Sequence, residues 1–305
     1  MKRTMSNLKK IYNELGYVVI KDGISDSHVM EYRKQILKFF HKNPGERQMT
    51  PTSILKYFPE IYDIQTNQKL LSTAKEIFGT FSFVNNFQIQ KNMCNSSHAG
   101  GWHIDSQNQY ITGEINASND KNHRVAKMGL CLTADNCRFG QSIEIVPKSH
   151  KLNHRIRFLL RKFLDLKLVP WLIKRIFVKK LDGVIGKGDY VIFDSKLLHR
   201  SATADKSKIK DISGFNSFEI ADDSKLTVYF EVGESESVNT LLQSALTHAM
   251  ESERGQDKEK FISDYMRVDR SSIPPEVIDT VGSYGGSIAV VSEKDRSKAD
   301  EIYNS

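Results

Sequence analysis

Gly101-Trp102-His103-Ile104-Asp105-Ser106 carries two metal-ligating side chains two residues apart, and His199 follows 96 residues after His103. In a strand, residues i and i+2 point to the same side, so His103 and Asp105 are predicted to face one ion together, with Ile104 turned away. A third ligand must come from elsewhere in the fold. His199 is the best candidate among the nine histidines because it follows an apolar run, Tyr190-Val191-Ile192-Phe193, that reads as a strand. Two imidazoles and one carboxylate on one face suit a non-haem iron(II) ion, with open positions left for a chelating cosubstrate and dioxygen.

Outward from these residues the pattern is that of many short strands. Runs at 82–93, 101–105, 126–134, 142–146, 190–199 and 225–232 are β-branched or aromatic and are bounded by Gly, Asn or Asp. Helices precede them. The spacing predicts a helix over 6–15, capped by Ser6 and ended by Gly16, and β structure over Tyr17–Ile20. A second helix runs from a Ser25 or Asp26 cap to about Phe40, with Val29, Tyr32, Ile36 and Phe39/Phe40 on one face. A short helix is expected from Ser72 to Phe78. The pattern as a whole is α+β with a mainly β core, and many short strands with one long insertion fit a jelly roll. Beyond 232, Val238–Met250 reads as a helix and Ile288–Val291 as a short strand.

Three stretches carry a family resemblance. Gly188-Asp189-Tyr190-Val191-Ile192-Phe193-Asp194-Ser195-Lys196-Leu197-Leu198-His199-Arg200-Ser201 resembles the distal-histidine strand of the phytanoyl-CoA dioxygenase family. Ile145-Val146-Pro147-Lys148-Ser149-His150-Lys151 resembles that family's strand ending in a Pro-Gly-Ser-His turn. Leu15-Gly16-Tyr17-Val18-Val19-Ile20 followed by Ile24-Ser25-Asp26 resembles its usual opening. The resemblance covers roughly residues 8 to 232, in the same order. It implies a double-stranded β-helix (a cupin-like jelly roll) over 1–232, flanked by N-terminal helices and interrupted by a helical insertion at 151–180. Residues 233–305 are then an extension packed on the core or at a subunit contact.

The implied activity is an iron(II)- and 2-oxoglutarate-dependent dioxygenase using O2, with His103, Asp105 and His199 as metal and catalytic residues. Asp105 argues for hydroxylation or desaturation, because related halogenases replace the carboxylate with a small residue. The cosubstrate site departs from the family. Relatives hold the distal carboxylate of 2-oxoglutarate with an Arg soon after the distal His, and Arg suits a carboxylate through its rigid fork. Here no Arg occurs between Arg200 and Arg254. Lys225, which opens the strand Leu226–Phe230, is the favoured substitute, and Lys210 is the alternative. The resemblance assigns Ser201 to the cosubstrate carboxylate. Gln88 and Gln90 either face the cosubstrate or lie on the outer face of an edge strand. Arg200 is expected to point away, as a surface or ion-pair residue. The rival reading is a jelly-roll metal-binding protein that lacks 2-oxoglutarate turnover, supported by the missing Arg.

Bland readings apply to four other histidines. His150 is structural, and His98, His123 and His154 are solvated in polar loops. Trp102 packs around the metal.

Composition bounds the rest. With 39% apolar and 27% charged residues the chain is an ordinary globular one. No apolar window reaches the roughly 18 to 20 residues of a membrane span, and the start of the sequence lacks a signal-peptide core. A cytoplasmic location is expected, with the three scattered cysteines reduced. The net charge of +7 is concentrated. Residues 151–180 hold ten Lys or Arg and one acid, Asp165. Apolar residues at helical spacing share that segment, with Pro170 placed to start a second helix. It reads either as a helical lid with solvated charges or as an interfacial helix in peripheral contact with an anionic membrane. No motif for nucleic acid accompanies the charge. The expected substrate is a small or amphiphilic molecule, with an anionic one favoured by the basic segment.

Overall fold

Alternation along strand β9 (Lys225–Glu234) sets the architecture. Leu226, Val228, Phe230 and Val232 turn to one side, into the main hydrophobic core. Lys225, Thr227 and Glu231 turn to the other and are buried as well. A strand covered on both faces belongs to the middle of a layered fold. The computed structural model describes residues 7–46, 48–49, 51–92, 101–105, 123–132, 143–166, 171–181, 184–201, 225–242, 270–290, 292 and 297.

The strands are β1 (Tyr17–Ile20), β2 (Gln48–Met49), β3 (Phe81–Asn92), β4 (Val125–Cys131), β5 (Ile143–Ile145), β6 (Lys179–Lys180), β7 (Tyr190–Asp194), β8 (His199–Ser201), β9 and β10 (Gly286–Ala289). They form a large sheet in the order β1-β7-β4-β9-β3-β10, with β2 also on β3, and a small sheet in the order β6-β5-β8. All pairings are antiparallel except β10 with β3. The fold is thus mixed helix and antiparallel sheet.

One face of the large sheet is covered by helices α1 (Leu8–Leu15), α2 (Asp26–Lys42), α3 (Pro51–Tyr57), α4 (Ile61–Gln65), α5 (Gln68–Phe78) and α9 (Pro275–Ser283), whose apolar residues share the main core. Phe230 makes edge contacts there with Phe83 and Phe87, at 5.5 and 5.3 Å between ring centres. A buried ring of this kind contributes about 3–5 kcal/mol as judged by truncation. The other face packs on the small sheet through Tyr17, Cys131, Val191 and Phe193 against Ile145, Leu181 and Leu197. Helix α8 (235–242) packs on the large sheet, where Val238, Leu241 and Leu242 meet Val84 and Val125. The chain beyond 232 therefore contributes helices and a strand to the same cores.

Several sequence expectations shift. The first helix begins at Leu8 after Asn7 and ends at Gly16 in the left-handed region; Ser6 lies outside the described residues. Ser25, not Asp26, caps α2 by accepting the His28 amide. The helix expected from Ser72 begins at Gln68, because the Asn67 side chain accepts the Leu70 amide and supplies an earlier cap. Helices α3 and α4 were not expected; at seven and five residues they are too short to show a full apolar period.

Two strand expectations are corrected. Stretch 101–105 is not a strand: His103 alone pairs, in a single bridge with His199. Stretch 190–199 is two strands in different sheets. The Asp194 carboxylate accepts the Lys196 amide and its carbonyl accepts the Leu197 amide. This Asp-anchored turn sends the chain from β7 in the large sheet to β8 in the small one.

Two backbone positions need explanation. Gly188, which leads into β7, has φ +77°, and a Cβ there would meet the Ile24 carbonyl at 2.5 Å. Lys148 takes φ +68° in the turn where the resembled family has Gly. Ser149 beside it accepts the Leu198 amide at 2.8 Å, so this turn steadies the approach to His199.

Candidate metal centre

His103 and His199 meet as a hydrogen-bonded antiparallel pair, each amide donating to the other's carbonyl at 3.0 Å. Opposed residues of such a pair project to the same side, and the two imidazole rings lie 4.3 Å apart between centres. Asp105 completes the group. One ligand atom from each of His103, Asp105 and His199 lies within 4.8 Å of the others. The sequence expectation that these three side chains converge is thus met in space, although a bridge and not a strand holds the first of them.

The backbone also fixes which ring nitrogen each histidine presents. Nδ1 of His103 lies 2.8 Å from the Gly101 carbonyl, and Nδ1 of His199 lies 2.9 Å from the Leu197 carbonyl. A carbonyl can only accept, so each Nδ1 carries a proton, which in the neutral ring leaves Nε2 as the atom that offers a lone pair. Phe193 packs on the His199 ring at 4.6 Å. Burial lowers the His199 pKa to about 4, against a smaller opposing effect of Asp105, so the ring is neutral at neutral pH.

Asp105 is held as a carboxylate. Burial disfavours its charge, but Lys127 foremost, with His199 and His103, outweighs burial and keeps its pKa below the ordinary value. Lys127 Nζ lies 3.6 Å from Oδ1. Oδ2 lies 3.7 Å from His199 Nε2 and is buried with no hydrogen-bond partner among the described residues. A buried carboxylate oxygen of this kind, facing a ring nitrogen, fits a cation between them. Two imidazoles and one carboxylate are a donor set for a divalent first-row metal.

Lys127 was not singled out from the sequence. It sits on β4 directly opposite Glu231 of β9, on the side away from the helices. Burial pushes its pKa down, and Asp105 and Glu231 push it up by more. Its Nζ also lies 5.6 Å from the centre of the Tyr229 ring. That ring has room because Gly129 faces it: a Cβ at Gly129 would meet Tyr229 Cε1 at 2.9 Å. The signal was present. Lys127 and Glu231 are lone charges inside apolar runs, Val125–Leu132 and Val228–Val232.

The expected cosubstrate residues fall as follows. Lys225 is buried at the start of β9, opposite Asn92, and turns to the same side as Thr227 and Tyr229. Gln88 is opposite Tyr229 and Gln90 opposite Thr227, so both turn inward. The edge-strand alternative for them is corrected, since β3 has β9 on one side and β2 or β10 on the other. Ser201 ends β8 on the same side as His199. Lys210 lies outside the described residues. Arg200 turns away, as expected, to pair with Glu144 at 2.6 Å and to cover the Trp102 ring. His123 departs from expectation: it is buried, and its carbonyl accepts from Lys196 Nζ at 2.7 Å. His150 is structural, with Nε2 3.2 Å from the Asn13 carbonyl. Cys131 is a buried free thiol.

Solved structures share this overall fold. EctD from S. alaskensis, crystallised with 2-oxoglutarate and 5-hydroxyectoine, superposes with a TM-score of 0.51 at 12% identity, over 78% of this chain and 79% of its own. HygX from Streptomyces hygroscopicus, with nickel and 2-oxoglutarate bound, gives 0.51 at 15% identity, over 77% of this chain and 88% of its own. The chain has their fold. No protein-family model matches the sequence, and no curated protein matches it. The likeness is one of fold, to proteins crystallised with 2-oxoglutarate. Among the described residues no helix is long and apolar enough to cross a membrane.

Proposed function

We propose that this chain is an iron(II)- and 2-oxoglutarate-dependent dioxygenase of the phytanoyl-CoA dioxygenase kind. On this reading it hydroxylates an unactivated C–H bond of a small-molecule or lipid-like substrate. The two sheets would be the halves of a double-stranded β-helix spanning 1–232, with 233–305 packed on it, in a cytoplasmic protein. The observation that carries the reading is the convergence of His103, Asp105 and His199 with both Nε2 atoms freed by backbone carbonyls. Folds like that of EctD and HygX support it.

Each residue then has a task. His103, Asp105 and His199 hold the metal. Ferrous iron, bound with 2-oxoglutarate and dioxygen, supplies the oxidising chemistry. Lys127 keeps Asp105 ionised and, with Lys225, makes the interior attractive to a dicarboxylate. Ser201, Gln88 and Gln90 turn toward the same space and can donate hydrogen bonds to it. Phe193 and the apolar inter-sheet core keep water from the reacting end.

Anaerobic titration tests the reading. Ferrous protein should develop a visible charge-transfer band on adding 2-oxoglutarate and should release succinate in air. His103→Ala and Asp105→Ala should lose iron occupancy with the fold intact. Iron binding without the band would favour the metal-binding protein that lacks 2-oxoglutarate turnover, for which the missing Arg speaks. Wild-type iron content in both variants would sink the triad.

A further inference from the structure

Helices α6 (His154–Asp165) and α7 (Trp171–Phe177) form the insertion between β5 and β6. Their inner side is well anchored. Leu160, Phe163 and Leu164 pack against Trp102, Ile104 and Leu198, the residues that flank His103 and His199. Buried Arg157 donates to the Lys196 carbonyl at 3.2 Å, and Lys174 Nζ donates to the Leu164 and Leu166 carbonyls, tying α7 to the end of α6.

The outer side is unusual. Seven of the ten large apolar side chains exposed among the described residues lie between 156 and 177. Leu159 is 66% exposed and Ile176 77%, with Ile156, Phe158, Ile173 and Phe177 beside them in sequence. A cluster on this scale marks an interaction surface. Basic residues share it: Arg155 and Lys162 fall four before and three after Leu159, on the same helix face. Arg175, Lys179 and Lys180 are also exposed, and Asp165 is the one acid in 151–180. The core of a protein–protein interface is depleted in lysine and other charges. Apolar side chains interleaved with lysine and arginine match instead an interfacial helix pair lying in an anionic bilayer surface.

We infer that the outer face of α6 and α7 docks on anionic membranes, with Leu159 and Ile176 entering the apolar layer and Arg155, Lys162 and Arg175 meeting lipid phosphates. Because the inner face of α6 packs on Trp102 and Ile104, the docked surface lies behind the segment that carries His103 and Asp105. The inference does not depend on the metal or the cosubstrate.

Cosedimentation of the full chain with phosphatidylglycerol–phosphatidylcholine vesicles, and with phosphatidylcholine alone, tests it. Binding should require the anionic lipid and should weaken as salt is raised. Arg155→Gln with Lys162→Gln should weaken binding about 30-fold, each basic residue at such a surface being worth about fivefold. Leu159→Glu with Ile176→Glu should abolish it. Both pairs are at the surface, so unchanged denaturation midpoints should accompany the losses. Absence of binding to anionic vesicles by the wild type, or binding that both pairs leave intact, would overturn the inference. So would sedimentation velocity showing a dimer that Leu159→Glu with Ile176→Glu dissociates while vesicles stay unbound, since the patch would then join two copies of this chain.

Discussion

Replacing Lys127 with Met tests the electrostatics of the metal centre without touching a candidate ligand. Lys127 Nζ is 3.6 Å from Asp105 Oδ1, and both side chains are largely buried. At an effective dielectric of about 20 the attraction is about 4–5 kcal/mol. Part of this is offset by the cost of taking the ammonium out of water, and stranding one partner of a buried pair typically costs about 3–5 kcal/mol. A coupling of about 2–3 kcal/mol is therefore expected between the two side chains. Denaturant unfolding of metal-free wild type, Lys127→Met, Asp105→Asn and the double variant at neutral pH isolates it as a double-mutant cycle. The cycle is needed because Lys127 also faces Glu231, and the single variant loses both contacts. Ferrous ion under anaerobic conditions should shrink the stability difference between Lys127→Met and wild type, since a cation at the triad supplies Asp105 with the positive charge that was removed. A coupling below about 0.5 kcal/mol, within the ordinary scatter of additivity, would refute the account of how Asp105 is kept ionised.

Further outcomes follow from single residues. Lys225→Ala should raise the apparent 2-oxoglutarate constant about ten- to a hundredfold, the range for a charge-assisted contact; if Lys210→Ala gives that effect and Lys225→Ala does not, the placement of the distal carboxylate is wrong. The lowered pKa of His199 means that the unfolded chain binds the extra proton first, so metal-free stability should fall as pH drops from about 6.5 through about 4, by about 3 kcal/mol in all. His199→Gln should flatten most of that window in urea titrations, leaving the smaller part due to His150, whose pKa burial also lowers; an unchanged slope would show that His199 is not held neutral. Lys148→Gly should stabilise the protein by up to about 1 kcal/mol by relieving the left-handed backbone, because the exposed Lys148–Glu14 pair at 3.5 Å offers little in return. A lowered melting temperature for that variant would contradict it.

The fold was legible in the sequence where burial imposes one period. The β-branched and aromatic runs at 225–232 and, as far as Asp194, at 190–199, together with the apolar face of α2, led to the correct elements because each buries one face, or two, against a continuous core. It was not legible where a few polar contacts decide the chain's path. The break between β7 and β8 rests on the Asp194 carboxylate and two amides, inside a run whose apolar character continues through Leu197 and Leu198. Reading 190–199 as one strand still placed His199 near the metal, but in the wrong sheet. Likewise the early start of α5 depends on one side chain, Asn67, five residues before the expected Ser72.

The candidate site divides in the same way. His103, Asp105 and His199 could be paired from spacing and chemistry, yet the reason given, side chains two apart on a strand, is not what brings them together. A single antiparallel bridge aligns the two histidines, and carbonyls two residues upstream of each set their tautomers. Such contacts leave no periodic trace in a sequence. Lys127 and Glu231 did leave one, since a charge inside an apolar strand must find a partner or a ligand when that strand is buried on both faces. They are 104 residues apart in the chain and directly opposed in the sheet. Neither is intelligible alone from sequence. Together with Asp105 they make a buried chain of alternating charge that ends at the three candidate ligands, and its register follows from the β4–β9 pairing.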